Sequence, residues 1–218
     1  MPTELPNSQQ RFINGIFSEN PVYRQVLAMC PTLAVTNTIA GAVTMAGATA
    51  FVLICANIMT SLMRRWIQPH LRILIFCVTI AAFVTIADRT LAAFLPAMSQ
   101  KLGPYVPLII VNCVIIARCE VCANKQNVVV ATFDAVGQSL GFFVALLSIS
   151  IVREILAFGT VLQGWVGAEG EGLRVLPASF PDWNLMAQPP GAFFTLGVLM
   201  SLVNWYQAAR QRRRAAVA

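Results

Sequence analysis

Apolar runs long enough to cross a bilayer recur along this 218-residue chain, and two of them are interrupted by proline or asparagine beside a cysteine. The first interruption reads Leu27-Ala-Met-Cys30-Pro31-Thr-Leu-Ala-Val-Thr-Asn37, the second Pro107-Leu-Ile-Ile-Val-Asn112-Cys113-Val-Ile-Ile. Lipid offers the backbone no water, so such runs fold as helices that close their own hydrogen bonds. Hydrophobic residues make up 57% of the chain and charged residues 11%, where a soluble domain carries about a quarter charged. The fold class that follows is an all-α polytopic membrane protein. Thiols at membrane depth beside a broken helix point to a metal or redox site. Two thiolates are too few to close a four-ligand site, so the pattern also points to a partner chain.

Six spans are predicted near residues 25–43, 45–63, 72–95, 104–122, 127–152 and 190–208. The Gly- and Pro-rich tract 165–190 reads as an extramembrane loop, and the segment Arg210-Gln-Arg-Arg-Arg214 as a basic tail. Residues 1–24 hold Glu4, Arg11, Glu19 and Arg24 with no apolar core, so no cleaved signal is expected. Basic residues in short loops favour the cytoplasm. With both termini inside, eleven of the fifteen basic residues lie on the cytoplasmic side, Arg64, Arg65, Arg72, Arg118 and Lys125 among them. The net charge of +6 follows from that topology and requires no nucleic acid. The tail is sufficiently explained as a surface facing anionic lipid.

Pro31 is suited to a first helical position, which would put Cys30 at the N-cap. A helix from Pro31 to about Ala42 is too short for a hydrocarbon core of roughly 30 Å, so a half-helix starting inside the membrane is expected. Its amide-rich start would favour a thiolate at Cys30. Cys113 opens the second group of three spans. Three spans per group make any repeat an inverted one, and broken helices at matching places in inverted halves mark midplane sites. The expected organisation is one membrane domain over 1–218, with repeat 1 about 20–100, repeat 2 about 101–208 and the tail at 209–218. Direct similarity between the halves is limited to Leu33-Ala-Val-Thr-Asn37 against Leu108-Ile-Ile-Val-Asn112.

Buried cysteine is ordinarily a small hydrophobe, and the pattern alone leaves packing and ligation both open for Cys30 and Cys113. Cys55 and Cys77 lie in uninterrupted apolar helix and read as packing. Cys119 and Cys122 form one Cys-x-x-Cys pair, which in a reducing cytoplasm reads as structural. His70 is the one histidine and lies in a cytoplasmic loop, which excludes bis-histidine haem. No phosphate-cradling glycine loop occurs, so the chain is no nucleotide-binding pump. Asp88-Arg89 and Arg153-Glu154 read as charge pairs at the outer interface. Asp134 is either an intramembrane carboxylate on an ion path or a hydrated interfacial one.

Four strings carry a family resemblance: Asn20-Pro-Val-Tyr23 running on to Thr38, Pro107 to Arg118, Arg153-Glu-Ile-Leu-Ala-Phe-Gly159-Thr, and Pro189-Pro-Gly-Ala-Phe-Phe194. In this order, over almost the whole chain, they resemble the RnfE/NqrD family, and within it the RnfE side of Rnf ion-translocating oxidoreductases. The resemblance implies six helices in two inverted three-helix repeats, with half-helices at Cys30 and Cys113. It implies a homologous RnfA-like partner and a membrane 2Fe–2S cluster whose iron is held by Cys30, Cys113 and two partner cysteines. It also implies the remaining Rnf proteins, RnfB, RnfC, RnfD and RnfG, with flavins and further iron–sulfur centres confined to those other subunits. The task implied is electron transfer between NADH and ferredoxin coupled to ion movement across a bacterial inner membrane, with no catalytic residue in this chain. The family pattern usually has alanine where Cys119 and Cys122 stand, which leaves both outside the site. Two rivals are an NqrD-like subunit of a sodium-translocating NADH:quinone oxidoreductase and a redox-inactive transporter or channel subunit. A passive assembly subunit is a third. The sequence names neither the coupling ion, sodium or proton, nor the direction of electron flow.

Overall fold

The structure is a computed structural model that describes residues 15, 19–64, 66, 68–123, 127–158, 160–161, 173–174, 186 and 188–215. Arg11, Arg65, Lys125 and most of the 165–190 tract lie outside the described residues.

Helix α1 (Met29–Val35) is short, and after the break at Thr36-Asn37-Thr38 comes α2 (Ile39–Met63), 25 residues long. Then follow α3 (Arg72–Phe94), α4 (Pro96–Leu102), α5 (Cys113–Arg118), α6 (Val128–Phe158) and α7 (Pro189–Ala215). A 3₁₀ turn at Val106–Ile109 precedes α5, and a π-helical turn at Cys119–Ala123 continues it. The one sheet among the described residues is an antiparallel pair, β1 (Thr160–Val161) with β2 (Leu173–Arg174).

Among the described residues three helices are long and apolar enough to cross a membrane: Ile39–Met63, Arg72–Phe94 and Val128–Ala157. A fourth crossing is available if Pro96–Leu102 and Val106–Cys122, bent by 70° at their break, count as one span. Of the six expected spans the one at 190–208 lies in α7, which is not among these helices, and two others are redrawn. The 25–43 span is divided, because the hydroxyl of Thr38 accepts the amide of Gly41 at 3.3 Å and starts a new helix at Ile39. The seven residues of α1 rise only about 10 Å, far less than a hydrocarbon core. The 70° bend lies ahead of most of the 104–122 span, between Leu102 and Val106, and the span itself is divided into a 3₁₀ turn around Pro107 and a helix that Asn112 caps by accepting the amide of Val114 at 3.1 Å. The third span, expected at 72–95, is α3 with one residue fewer.

Helices α2 and α6 form the principal packed pair, and each buries small and polar residues beside large ones such as Met45, Leu53, Phe142 and Ile149. Helix α2 buries Ala40, Gly41, Ala42, Ala46, Thr49, Ala56 and Asn57, and α6 buries Ala131, Ala135, Ser139 and Ala145. Lipid removes the hydrophobic drive between helices, so close backbone approach and interhelical hydrogen bonds hold such pairs. Helix α3 instead buries a single stripe, Phe76, Ile80 and Val84, and turns Ile73, Leu74 and Val78 outward.

The segment before α1 lies across α6. Asn20 donates from Nδ2 to the carbonyl of Gly141 at 2.9 Å, while its Oδ1 accepts the amides of Val22 and Tyr23, each at 3.1 Å. The Tyr23 hydroxyl meets that of Ser148 at 2.6 Å. The crossing requires glycine on both sides. A Cβ on Gly141 would come within 2.5 Å of the Gly15 carbonyl oxygen, and one on Gly15 within 2.8 Å of the Gly137 carbonyl carbon. Gly141→Ala is therefore expected to cost roughly 1–3 kcal/mol through backbone displacement. Gly47→Ala and Gly197→Ala, whose new methyls meet nothing within 4 Å, should be silent. Thermal melts of the detergent-solubilised protein check this, and equal midpoints for all three variants would refute the crossing.

Candidate functional site

The two interrupted segments meet. The backbone N–H of Ala28, one residue before α1, donates to the Sγ of Cys113 at 2.8 Å. Cys113 is the first residue of α5, directly after its Asn112 cap, and is half-buried. Cys30 is exposed in the first turn of α1. Its expected place at the N-cap is corrected: the N-cap is Ala28, and Cys30 and Pro31 are the second and third residues of the helix.

The backbone ahead of Cys30 is held in an unfavourable form. Val26 has φ of 55° and Ala28 of 58°, both left-handed. For a β-branched residue such as Val26 this region is a genuine outlier, and strain of this kind costs on the order of 1–3 kcal/mol per residue. Here it turns the Ala28 amide toward Cys113 instead of into a preceding helical turn. The Nδ2 of Asn112 is buried with no hydrogen-bond partner among the described residues, a donor left over beside Cys113.

The remaining cysteines take other places. Cys55 and Cys77 are half-buried within α2 and α3. Cys119 and Cys122 are buried in the π-helical turn, and Cys119 hydrogen-bonds the side chain of Thr60 on α2. No group of three or more His, Cys, Asp or Glu that could hold a metal occurs among the described residues.

Several charges differ from expectation. Arg153 and Glu154, expected at the outer interface, are 1% and 0% exposed. Arg153 Nη1 donates to the Thr36 hydroxyl at 2.6 Å, and its Nη2 to the carbonyls of Met186 and Gln188, each at 3.2 Å. Glu154 Oε2 accepts the amide of Ile39 at 2.6 Å. The break between α1 and α2 creates buried carbonyls and amides, and these two residues satisfy them. Asp134 is no hydrated interfacial carboxylate: it is 3% exposed, and its Oδ1 lies 3.5 Å from Nη1 of the buried Arg118. Arg118 Nη2 lies 3.4 Å from Glu19, and Gln138 donates to the Glu19 carbonyl at 3.3 Å. Asp88 and Arg89 do not form the expected ion pair; they line a cavity of about 190 Å³ together with Val106, Pro107 and Ile110.

The structure brings the Cys113 sulfur against the segment that leads into Cys30, and the sequence reading missed Arg153 and Glu154 as the partners of the break between α1 and α2, which lies more than a hundred positions away. No local signal marked Asn20 or Glu19.

The model of the family described as "Rnf-Nqr subunit, membrane protein" matches residues 8–200 of the chain. A relative from Acetobacterium woodii, named as the E subunit of a Na(+)-translocating ferredoxin:NAD(+) oxidoreductase complex, is 41% identical over 91% of this chain and 97% of its own length. One from Methanosarcina acetivorans, named as the E subunit of an ion-translocating oxidoreductase complex, is 38% identical over 96% and 94%. One from Clostridium ljungdahlii, named as the E subunit of a proton-translocating ferredoxin:NAD(+) oxidoreductase complex, is 33% identical over 93% and 91%. With its several apolar helices and a match across nearly all of its length, the chain belongs to the Rnf–Nqr family of membrane subunits, on the RnfE side of that family.

Proposed function

We propose that this chain is a membrane subunit of an Rnf-type translocase that couples electron transfer between ferredoxin and NADH to ion movement. In this reading Cys30 and Cys113 supply two of the four thiolates of a 2Fe–2S cluster, and a homologous RnfA-like partner supplies the others. The observation that carries it is the hydrogen bond from the Ala28 amide to Cys113, which brings the Cys113 sulfur against the backbone two residues before Cys30.

The residues present fit such a group. Thiolates are the usual ligands of iron–sulfur clusters, and both cysteines are free thiols. A backbone N–H already donates to one sulfur, and the spare Nδ2 of Asn112 adds a second donor nearby. Amide donors of this kind stabilise the charged form of a sulfur ligand and tune its potential. Cys30 is exposed on this chain, so a second chain can bring its own thiolates to the same place. Cys30 and Cys113 would hold such a cluster, which would supply one-electron transfer, and the Ala28 amide and the Nδ2 of Asn112 would stand as hydrogen-bond donors beside it.

The element order supports an inverted repeat in one domain. A short helix followed by two long ones occurs twice, as α1, α2, α3 and as α5, α6, α7. In this reading each half, its broken segment counted together with its two long helices, would cross three times, so that the halves face opposite ways, both termini lie in the cytoplasm and the protein sits in the inner membrane. The names of the relatives include both sodium and proton as the translocated ion, so the coupling ion differs among proteins otherwise similar to this one.

Replacing Cys30 or Cys113 with Ser in the whole complex should abolish the electron paramagnetic resonance signal of the membrane cluster while the subunit still inserts, because a hydroxyl is a poor ligand for iron. Cys119→Ala and Cys122→Ala should leave that signal intact. Loss of signal in either Ala variant, with retention in Cys30→Ser, would move the metal to the Cys-x-x-Cys pair. A wild-type complex with no membrane cluster would leave the redox-inactive transporter. Expressed without its partner, the chain should lack a stable cluster, since two ligand positions are unmet; iron analysis of the isolated subunit decides this. A reporter fused after Ala218 should be active only in the cytoplasm, and periplasmic activity would reverse the topology.

A further inference from the structure

Along one side of α1 and its two flanking residues, a series of hydrogen bonds leads from Arg153 to the Cys113 sulfur, passing through the covalent frame of Thr32 and of Ala28 between one bond and the next. Arg153 Nη1 donates to the Thr36 hydroxyl at 2.6 Å. The Thr36 hydroxyl donates to the Thr32 carbonyl, and the Thr32 hydroxyl to the Ala28 carbonyl at 2.7 Å. The Ala28 amide donates to Cys113 at 2.8 Å. Positions 28, 32 and 36 are spaced four apart and so share a face. All three are buried, at 0%, 1% and 0% exposure, while Cys30 on another side of the same helix is exposed.

We propose that Arg153, with Thr36 and Thr32, is a positioning device that sets the place of α1, and with it the spacing of Cys30 from Cys113. The proposal rests on the ligand role assigned to those cysteines above. A helix of seven residues has too few internal hydrogen bonds to hold its own shape and takes its position from its surroundings. Its last carbonyls have no partner within the helix. Arg153 meets that end, reaching Thr36 and also the Leu33 carbonyl at 3.5 Å. With Nε and Nη2 it holds the carbonyls of Met186 and Gln188 ahead of α7. Glu154 holds the other side of the break through the Ile39 amide. The cation thus lies at a carbonyl end and the anion at an amide end, each with the sign that the helix dipole favours. Because both side chains project from α6, a shift of that helix moves α1 and the start of α2 together.

The planar guanidinium is required, since it serves both sides at once, whereas an ammonium is a single point with three donors. Thr36→Val removes one hydroxyl at nearly constant volume, and Thr36→Ser restores the hydroxyl while losing a methyl. In the purified complete complex, Thr36→Val and Arg153→Lys should shift the line shape and midpoint potential of the membrane cluster and slow electron transfer roughly 10-fold. Thr36→Ser should match wild type. Amide hydrogen exchange over residues 28–36 should quicken in Thr36→Val and stay slow in Thr36→Ser, a readout that needs no cluster.

Wild-type line shape, potential and exchange in Thr36→Val would overturn the positioning role, and so would a Thr36→Ser variant that behaves like Thr36→Val. If Arg153→Lys does not assemble, the Thr36 pair still decides. Cys30→Ser separates the two proposals. A retained signal in that variant sinks the ligand reading, whereas a lost signal beside an unaltered Thr36→Val sinks the positioning device alone.

Discussion

A break in a membrane helix releases backbone groups where no water can reach them, and this chain is arranged around meeting that demand. Its two breaks are met in different ways. Ahead of α5 the cap is local, through the side chain of Asn112 on the amide of Val114. Between α1 and α2 Thr38 supplies only part of the cap, and the rest comes from across the fold through Arg153 and Glu154. Each buried unpaired polar group costs on the order of 1–3 kcal/mol, so the distant partners are structural necessities. The cost of burying their charges is offset by the backbone groups that they satisfy, and both are completely enclosed.

The buried ion pair of Arg118 and Asp134 belongs to the same logic. Arg118 closes α5 at the end opposite Cys113, and Asp134 approaches it from α6. Removing one member of such a pair costs about 3–5 kcal/mol, because the other is left charged and enclosed. The two short helices that carry Cys30 and Cys113 are therefore each tied to α6 by an arginine, α1 through Arg153 on that helix and α5 through its own Arg118 meeting Asp134.

Much of this was legible in the chain itself. The apolar runs gave the membrane class and the bounds of α3 almost to the residue, since nothing interrupts them. Asn112 marked the cap ahead of α5, whereas the expected half-helix from Pro31 to about Ala42 is corrected: α1 starts at Met29 and ends at Val35, and the break at Thr36-Asn37-Thr38 falls inside the expected helix. The other errors came from treating charge as a boundary. Reading Arg153-Glu154 as interfacial ended the fifth span at 152, where α6 continues to Phe158. The same rule kept a hydrated, interfacial Asp134 open beside the buried one that the structure shows. Charge marks an interface only when the interior offers it no partner, and here the broken helices offer several. That compensation joins residues more than a hundred positions apart, such as Ile39 with Glu154, and no local pattern encodes it.

The crossing of the N-terminal segment over α6 has a consequence for biosynthesis. Asn20 and Gly141, joined through the Asn20 amide, are 121 positions apart. A ribosome adds about 5–20 residues per second, so Asn20 waits several seconds at least before Gly141 is made. For most of that interval the Ala28 amide lacks Cys113, and α1 lacks Arg153 until after it ends. The cysteine-bearing start of the chain is thus among the first parts translated, while the groups that fix it are made only with the fourth and fifth apolar segments.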